Sequence, residues 1–189
     1  MKEKYAVAFN ALERLKEGNK VYINSARAVG DISQQKRCDT FKNGQTPYVV
    51  IVSCSDSRVI PEAIFSAGIG DLFVIRVAGN VVGNYELGSI EYAVNHLGCT
   101  LVVVLGHTGC GAVSAALGEN CGFVKHIADE IKRAIGAECD TVKASMLNVK
   151  QSVSKIKESL PSTEELLVTG ALYHTESGVV DFFDCIEKH

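Results

Sequence analysis

The sequence predicts an α/β protein: a mainly parallel β-sheet, four parallel strands plus an antiparallel C-terminal strand, flanked by helices and preceded by an N-terminal helical arm. Three short apolar runs rich in β-branched residues, "YVVIVSC", "DLFVIRV" and "TLVVVLG", alternate with segments of helical period. Strands separated by helices return through right-handed crossovers, which make the sheet parallel. A final stretch, "ELLVTGALYHTESGVVDFF", doubles back around a Glu-Ser-Gly turn and supplies the antiparallel strand. The 189 residues suit one core, and no repeat or linker divides them, so a single domain over 1–189 is expected.

Each element has its own justification. Tyr5, Ala8, Phe9, Leu12 and Leu15 recur at helical spacing, so residues 3–17 read as an amphipathic helix that Gly18 ends. A second helix is expected over much of 20–38, and "GQTP" at 44–47 is a turn. Residues 48–54 read as a buried strand, and residues 71–77 as a second strand. "ELGSIEYAVNHLG" is a helix with Ile90, Ala93, Val94 and Leu97 on one side. Residues 100–106 form the third strand, and a helix opens at 111–117. From 121 to about 159 the pattern is helical, with a break near Gly136–Asp140.

Composition excludes several functions. A net charge of −3 gives no electrostatic case for nucleic acid. No apolar run approaches the roughly 18 residues of a membrane span. The N-terminus is charged and amphipathic rather than a secretory leader, and a cytoplasmic location is expected. Seven cysteines in a mid-sized chain without a leader read as free thiols or metal ligands, not as a disulfide framework.

The chemistry concentrates at two strand ends. "LGHTGCGAV", 105–113, follows the third strand and opens a helix, the usual place for a phosphate cradle. The dinucleotide spacing G-x-G-x-x-G fails there, because Ser114 stands where glycine is wanted. His107 and Cys110, three residues apart across a tight turn, suit a shared metal ion instead. Cys54 ends the first strand, and carboxyl ends of parallel strands share one edge, so it can supply a third ligand. By spacing alone H-x-x-C is weak, since most lone cysteines are small core residues. "SCSDSRV" adds Asp56 and Arg58 at the same edge, where a two-pronged hydrogen bond would satisfy both charges.

"CSDSRV" at 54–59, "GDLFVIRVAGN" at 70–80, "EYAV" at 91–94 and "GHTGCGAV" at 106–113 together resemble the β-class carbonic anhydrases, as does "GALYHTESGVV" at 170–180. The resemblance implies a zinc lyase that reversibly hydrates CO2 to bicarbonate and a proton. It implies Zn2+ on Cys54, His107 and Cys110, with Asp56 and Arg58 as the catalytic dyad. Gly111 would offer its N–H to Asp56, Gln45 would help bind substrate at a subunit interface, and Phe73 would line the CO2 pocket. Asp56 would either pair with Arg58 or swing onto the metal. The family also implies a homodimer or homotetramer, with 1–40 as a helical dimerisation arm and 41–189 as the zinc-binding core. Two thiolates and a neutral imidazole cancel the ion's charge, so activity is expected to rise through mildly alkaline pH. Carbonyl sulfide or carbon disulfide hydrolysis on the same scaffold is the nearest alternative, and a purely structural zinc module the more distant one. Val77 departs from the polar residue many relatives carry in "RVAGN".

Overall fold

The apolar runs become strands β1 (Val49–Ser53), β2 (Leu72–Arg76), β3 (Leu101–His107) and β4 (Leu167–Tyr173), and the chain ends its sheet with β5 (Val180–Phe183). The computed structural model describes residues 4–25, 30–118, 125–160 and 165–183. The strand order is β2-β1-β3-β4-β5, with every pair parallel except β4–β5. This is the predicted arrangement of four parallel strands and one antiparallel strand. β1, β3 and β4 are buried at every position, which is why their sequences show unbroken apolar runs rather than alternation.

Helices cover both faces. α1 (Ala6–Asn24) and α3 (Pro61–Ile64) pack Leu12, Leu15 and Ile64, with Phe65 beyond, onto the face carrying Val49 and Ile51. α4 (Asn84–Leu97) and α7 (Thr141–Ser159) place Ile90, Val94, Val149, Val153 and Ile156 against Val50 and Val52 on the other. α5 (Gly111–Leu117) and α6 (Lys125–Ile135) close a third cluster around Cys54 and Cys110. The expected helix break falls where Gly136 takes a φ of 57° and Asp140 caps α7 by accepting from the Lys143 amide. Residues 121–124 of the expected helical stretch, with Cys121, and Cys185 lie outside the described residues.

Two expectations for the N-terminal region are corrected. α1 does not stop at Gly18 but runs through it to Asn24. A Cβ at Gly18 would lie 1.9 Å from the Phe65 carbonyl oxygen, so glycine is there for close approach, not termination. The helix expected over 20–38 is divided: 20–24 belong to α1, and α2 spans Gln34–Asn43. Asp31 accepts the Ser33 amide, and Ser33 caps α2 by accepting from the Lys36 amide, which fixes the later start.

Candidate metal centre

Parallel register sets the site. Ser53 pairs with Leu105, so Cys54, just past β1, and His107, at the end of β3, emerge at the same sheet edge. Cys110 stands at the N-cap of α5. The Sγ atoms of Cys54 and Cys110 and a ring nitrogen of His107 all lie within 4.8 Å of one another, and all three residues are buried. Among the described residues this is the one such group of three or more metal-ligating side chains.

The donor set fits a zinc ion. His107 Nδ1 lies 3.0 Å from the Thr108 carbonyl oxygen, which can only accept, so Nδ1 carries the proton and Nε2 holds a lone pair. Nε2 is buried and has no hydrogen-bond partner among the described residues. An orphaned lone pair at zero exposure is costly unless a cation meets it. A hydrogen bond from Cys110 leads in pulling Cys54 down to about 4, and the same contact leads in pushing Cys110 up. Cys54 Sγ also accepts the Gly79 amide at 3.2 Å and the Asp56 amide at 3.4 Å. The amides of Val113 and Ala112 at the start of α5 work in the opposite direction to the upward push on Cys110, favouring its thiolate. Thiolate, thiolate and imidazole are ligands that zinc prefers, and the set leaves a fourth tetrahedral position.

Asp56 stands beside this group, its Oδ2 4.0 Å from His107 Nε2. Arg58 grips it with both prongs, Nε to Oδ1 at 2.9 Å and Nη2 to Oδ2 at 2.7 Å, and adds its own amide at 3.0 Å. That hydrogen-bonded guanidinium holds the Asp56 carboxyl well below the usual carboxylate range. Of the two arrangements expected for Asp56, the structure has the one paired with Arg58. Gly111 begins α5 but makes no hydrogen bond to Asp56, whose carboxylate oxygens, among the described residues, accept from Arg58.

Gln45 and Phe73 do not join the group within one chain. Gln45 is exposed in the turn before β1, whereas Cys54 follows the strand, so five strand residues, roughly 17 Å, lie between them. Phe73 is half-buried opposite Val50, three pairs before Ser53↔Arg76, with its ring 6.2 Å from that of Tyr92. Three residues took no part in the expected site. Arg76, at the end of β2, donates to the Cys54 carbonyl at 3.2 Å and the Asp56 carbonyl at 2.8 Å, carrying the loop that holds the dyad. Thr175 donates its amide to Thr108 Oγ1 at 3.0 Å, tying the β4–β5 turn to the loop of His107. Gly79 supplies the amide on Cys54. A charged residue closing an apolar run was the available signal for Arg76; the other two contacts are made through backbone amides and leave none.

A family model described as carbonic anhydrase matches residues 49–180, from β1 into β5. A carbonic anhydrase of Mycolicibacterium smegmatis is 34% identical over 189 residues, covering 90% of this chain and 91% of its own. The structure of a β-carbonic anhydrase of Aspergillus fumigatus superposes with a TM-score of 0.72 at 29% identity, over 82% of this chain and 83% of that one. One of two tetrameric β-carbonic anhydrases of Sordaria macrospora gives 0.65 at 25% identity, over 80% of this chain and 92% of that one. Motif order, donor set and sheet topology agree with these matches, and the chain belongs to the β-class carbonic anhydrase family.

Proposed function

We propose that the protein reversibly hydrates CO2 to bicarbonate and a proton at a zinc ion held by Cys54, His107 and Cys110. The buried three-donor group with its orphaned His107 Nε2 carries this reading. Zinc, when bound, supplies the Lewis acidity that makes water nucleophilic near neutral pH. The chain's own residues do the rest. His107 keeps Nε2 available because the Thr108 carbonyl holds its other proton. Asp56, fixed by Arg58, accepts a hydrogen bond from the attacking water and aims an oxygen lone pair at the carbon of CO2. The new C–O bond forms as a C=O π pair moves onto oxygen, and the water proton leaves for solvent.

The distances along β1 and β2 support a site completed across a subunit boundary, with each protomer's Gln45 and Phe73 serving its partner's zinc. A homodimer or homotetramer follows, and the tetrameric Sordaria relatives support assembly. α2 suits the interface: it buries no residue and leaves Phe41 90% exposed. Residues 1–40 are then the dimerisation arm, although α1 is also built into the core, and 41–189 the zinc-binding unit. The five described cysteines are free thiols, which suits the reducing cytoplasm. No described helix is long and apolar enough to cross a membrane.

The test is a stopped-flow CO2 hydration assay on zinc-loaded protein from pH 6 to 9, with Cys54→Ala as control and parallel assays with carbonyl sulfide and carbon disulfide. CO2 turnover that rises with pH and disappears in Cys54→Ala supports the proposal. Turnover of the sulfur substrates alone overturns it. Zinc held tightly with no turnover of any of the three would mark a structural site.

A further inference from the structure

The buried side of α7 carries a polar stripe that the chemistry above does not use. Ser145, Asn148 and Ser152 are 3%, 2% and 4% exposed, among Ala144, Val149, Val153 and Ile156. Polar groups at such depth are costly unless bonded. Ser145 satisfies itself within the helix, donating to the Thr141 carbonyl at 2.9 Å. The other two reach far along the chain. Asn148 Nδ2 donates to the Gly79 carbonyl at 2.7 Å, and Ser152 Oγ donates to the Asn80 carbonyl at 3.2 Å.

Both acceptors belong to the single 3₁₀ turn Ala78–Asn80. That turn is conformationally expensive. Gly79 has a φ of 69°, and Asn80, a non-glycine residue, a φ of 46°. It persists because its surroundings over-determine it. α7 holds its two carbonyls, while Ala112 of α5 and Ile131 of α6 close on the other side, near enough that a Cβ on Gly79 would lie 3.0 and 2.8 Å from them. Gly79 is also the residue whose amide lies 3.2 Å from Cys54 Sγ. Only the two backbone torsions of Gly79 separate the carbonyl that Asn148 holds from the amide that Cys54 receives.

We propose that Asn148, with Ser152 as a second strut, is a positioning residue for the metal centre: it fixes the Gly79 amide on the Cys54 sulfur and so sets how tightly zinc is held. An amide donated to a ligating thiolate delocalises its charge and locks its orientation, and outer partners of this kind are worth about 10–100-fold in metal affinity. The inference rests on Cys54 being a zinc ligand.

The experiment compares zinc-loaded wild type with Asn148→Leu, which keeps the branched heavy-atom skeleton and removes the donor, and with Ser152→Ala, Ser145→Ala and Cys54→Ala. Zinc release into excess chelator is followed with a metallochromic dye. The sulfur-to-metal absorption of the cobalt-substituted proteins is recorded alongside. Asn148→Leu is expected to release zinc about 10-fold faster and to shift the absorption band. Ser152→Ala should move both in the same direction by less, and Ser145→Ala, an equal loss of buried polarity without contact to the turn, should match wild type. If Asn148→Leu does not fold, Ser152→Ala decides, since it removes one hydroxyl. Wild-type release from Asn148→Leu, or an equal change in Ser145→Ala, overturns the proposal. Zinc held as firmly by Cys54→Ala as by wild type overturns the zinc centre itself, a separate failure.

Discussion

Gly18→Ala and Gly88→Ala make the same chemical change inside two helices, and the structure assigns them opposite signs. Replacing an exposed helical glycine by alanine gains about 1 kcal/mol from backbone entropy and solvation. Gly88, exposed in α4, has nothing within 4 Å of the added Cβ, so it should realise that gain. At Gly18 the added Cβ would sit 1.9 Å from the Phe65 carbonyl oxygen and 2.7 Å from its carbon. Both atoms are backbone, so no rotamer relieves the clash, and α1 must withdraw from the end of α3 by roughly 1 Å before contact is tolerable. Withdrawal stretches the bonds that dock the helix: Ser66 Oγ to the Gly18 carbonyl at 2.9 Å and Asn19 Nδ2 to the Ile64 carbonyl at 3.2 Å. Overpacking of this kind costs about 1–3 kcal/mol. Two weakened hydrogen bonds add about 1 kcal/mol each. Against the propensity gain, a net loss of about 3 kcal/mol remains, a fall of roughly 6–12 °C in Tm for a chain of this length. Gly88→Ala should raise Tm by roughly 2–4 °C. Thermal unfolding of both variants at one fixed protein concentration, because assembly couples to stability, is the assay. A Gly18→Ala protein as stable as Gly88→Ala would refute the close-approach reading. The loss should also reach the metal centre, because Asn19 bonds the Gly178 carbonyl and Val180 amide of the turn whose Thr175 holds Thr108.

Arg58→Ala removes both prongs on Asp56 and the contact to the Gly109 carbonyl; it should keep zinc, lose at least about 10-fold in kcat, and show an added protein oxygen by X-ray absorption as Asp56 swings to the metal. Wild-type turnover in that variant would count against the dyad. Thr175→Val preserves shape but removes the hydroxyl 3.1 Å from Thr108 Oγ1, and should speed zinc release a few-fold, well short of the roughly 10-fold or more that a direct partner of a ligand commands. Burial pushes the Cys99 thiol from 9.0 to about 11, so the fold favours its neutral form, which donates to the Pro47 carbonyl at 3.3 Å. The folded state thus binds more protons than the unfolded chain between those values, and Cys99's contribution is full below pH 9 and lost as pH rises toward 11. The gap in urea midpoint between wild type and Cys99→Ala should therefore narrow over that interval; a constant gap would contradict the burial argument.

The sheet was legible because β1, β3 and β4 are buried on both faces, and a doubly buried strand writes an unbroken apolar run into the sequence. The candidate metal ligands were legible for a related reason: once strand ends are placed, parallel register carries Cys54 to His107 without further information. Gly18 was not legible. A glycine in a helical pattern signals either a C-cap or a close neighbour, and only the Phe65 carbonyl, 47 positions away in the chain, distinguishes them. The same limit hides the outer layer of the site. Arg76, Thr175 and Asn148 act on atoms 20 to 69 residues distant, and most of their partners are backbone groups that every residue possesses. What the sequence does retain is the anomaly on α7. Ser145, Asn148 and Ser152 share a face with Ala144, Val149, Val153 and Ile156, and a polar side chain on a helix's buried face must find a partner. Such a stripe does not say which partner, but it says that one exists. In this fold the partner lies one residue's two torsions from the sulfur of Cys54, the proposed zinc ligand.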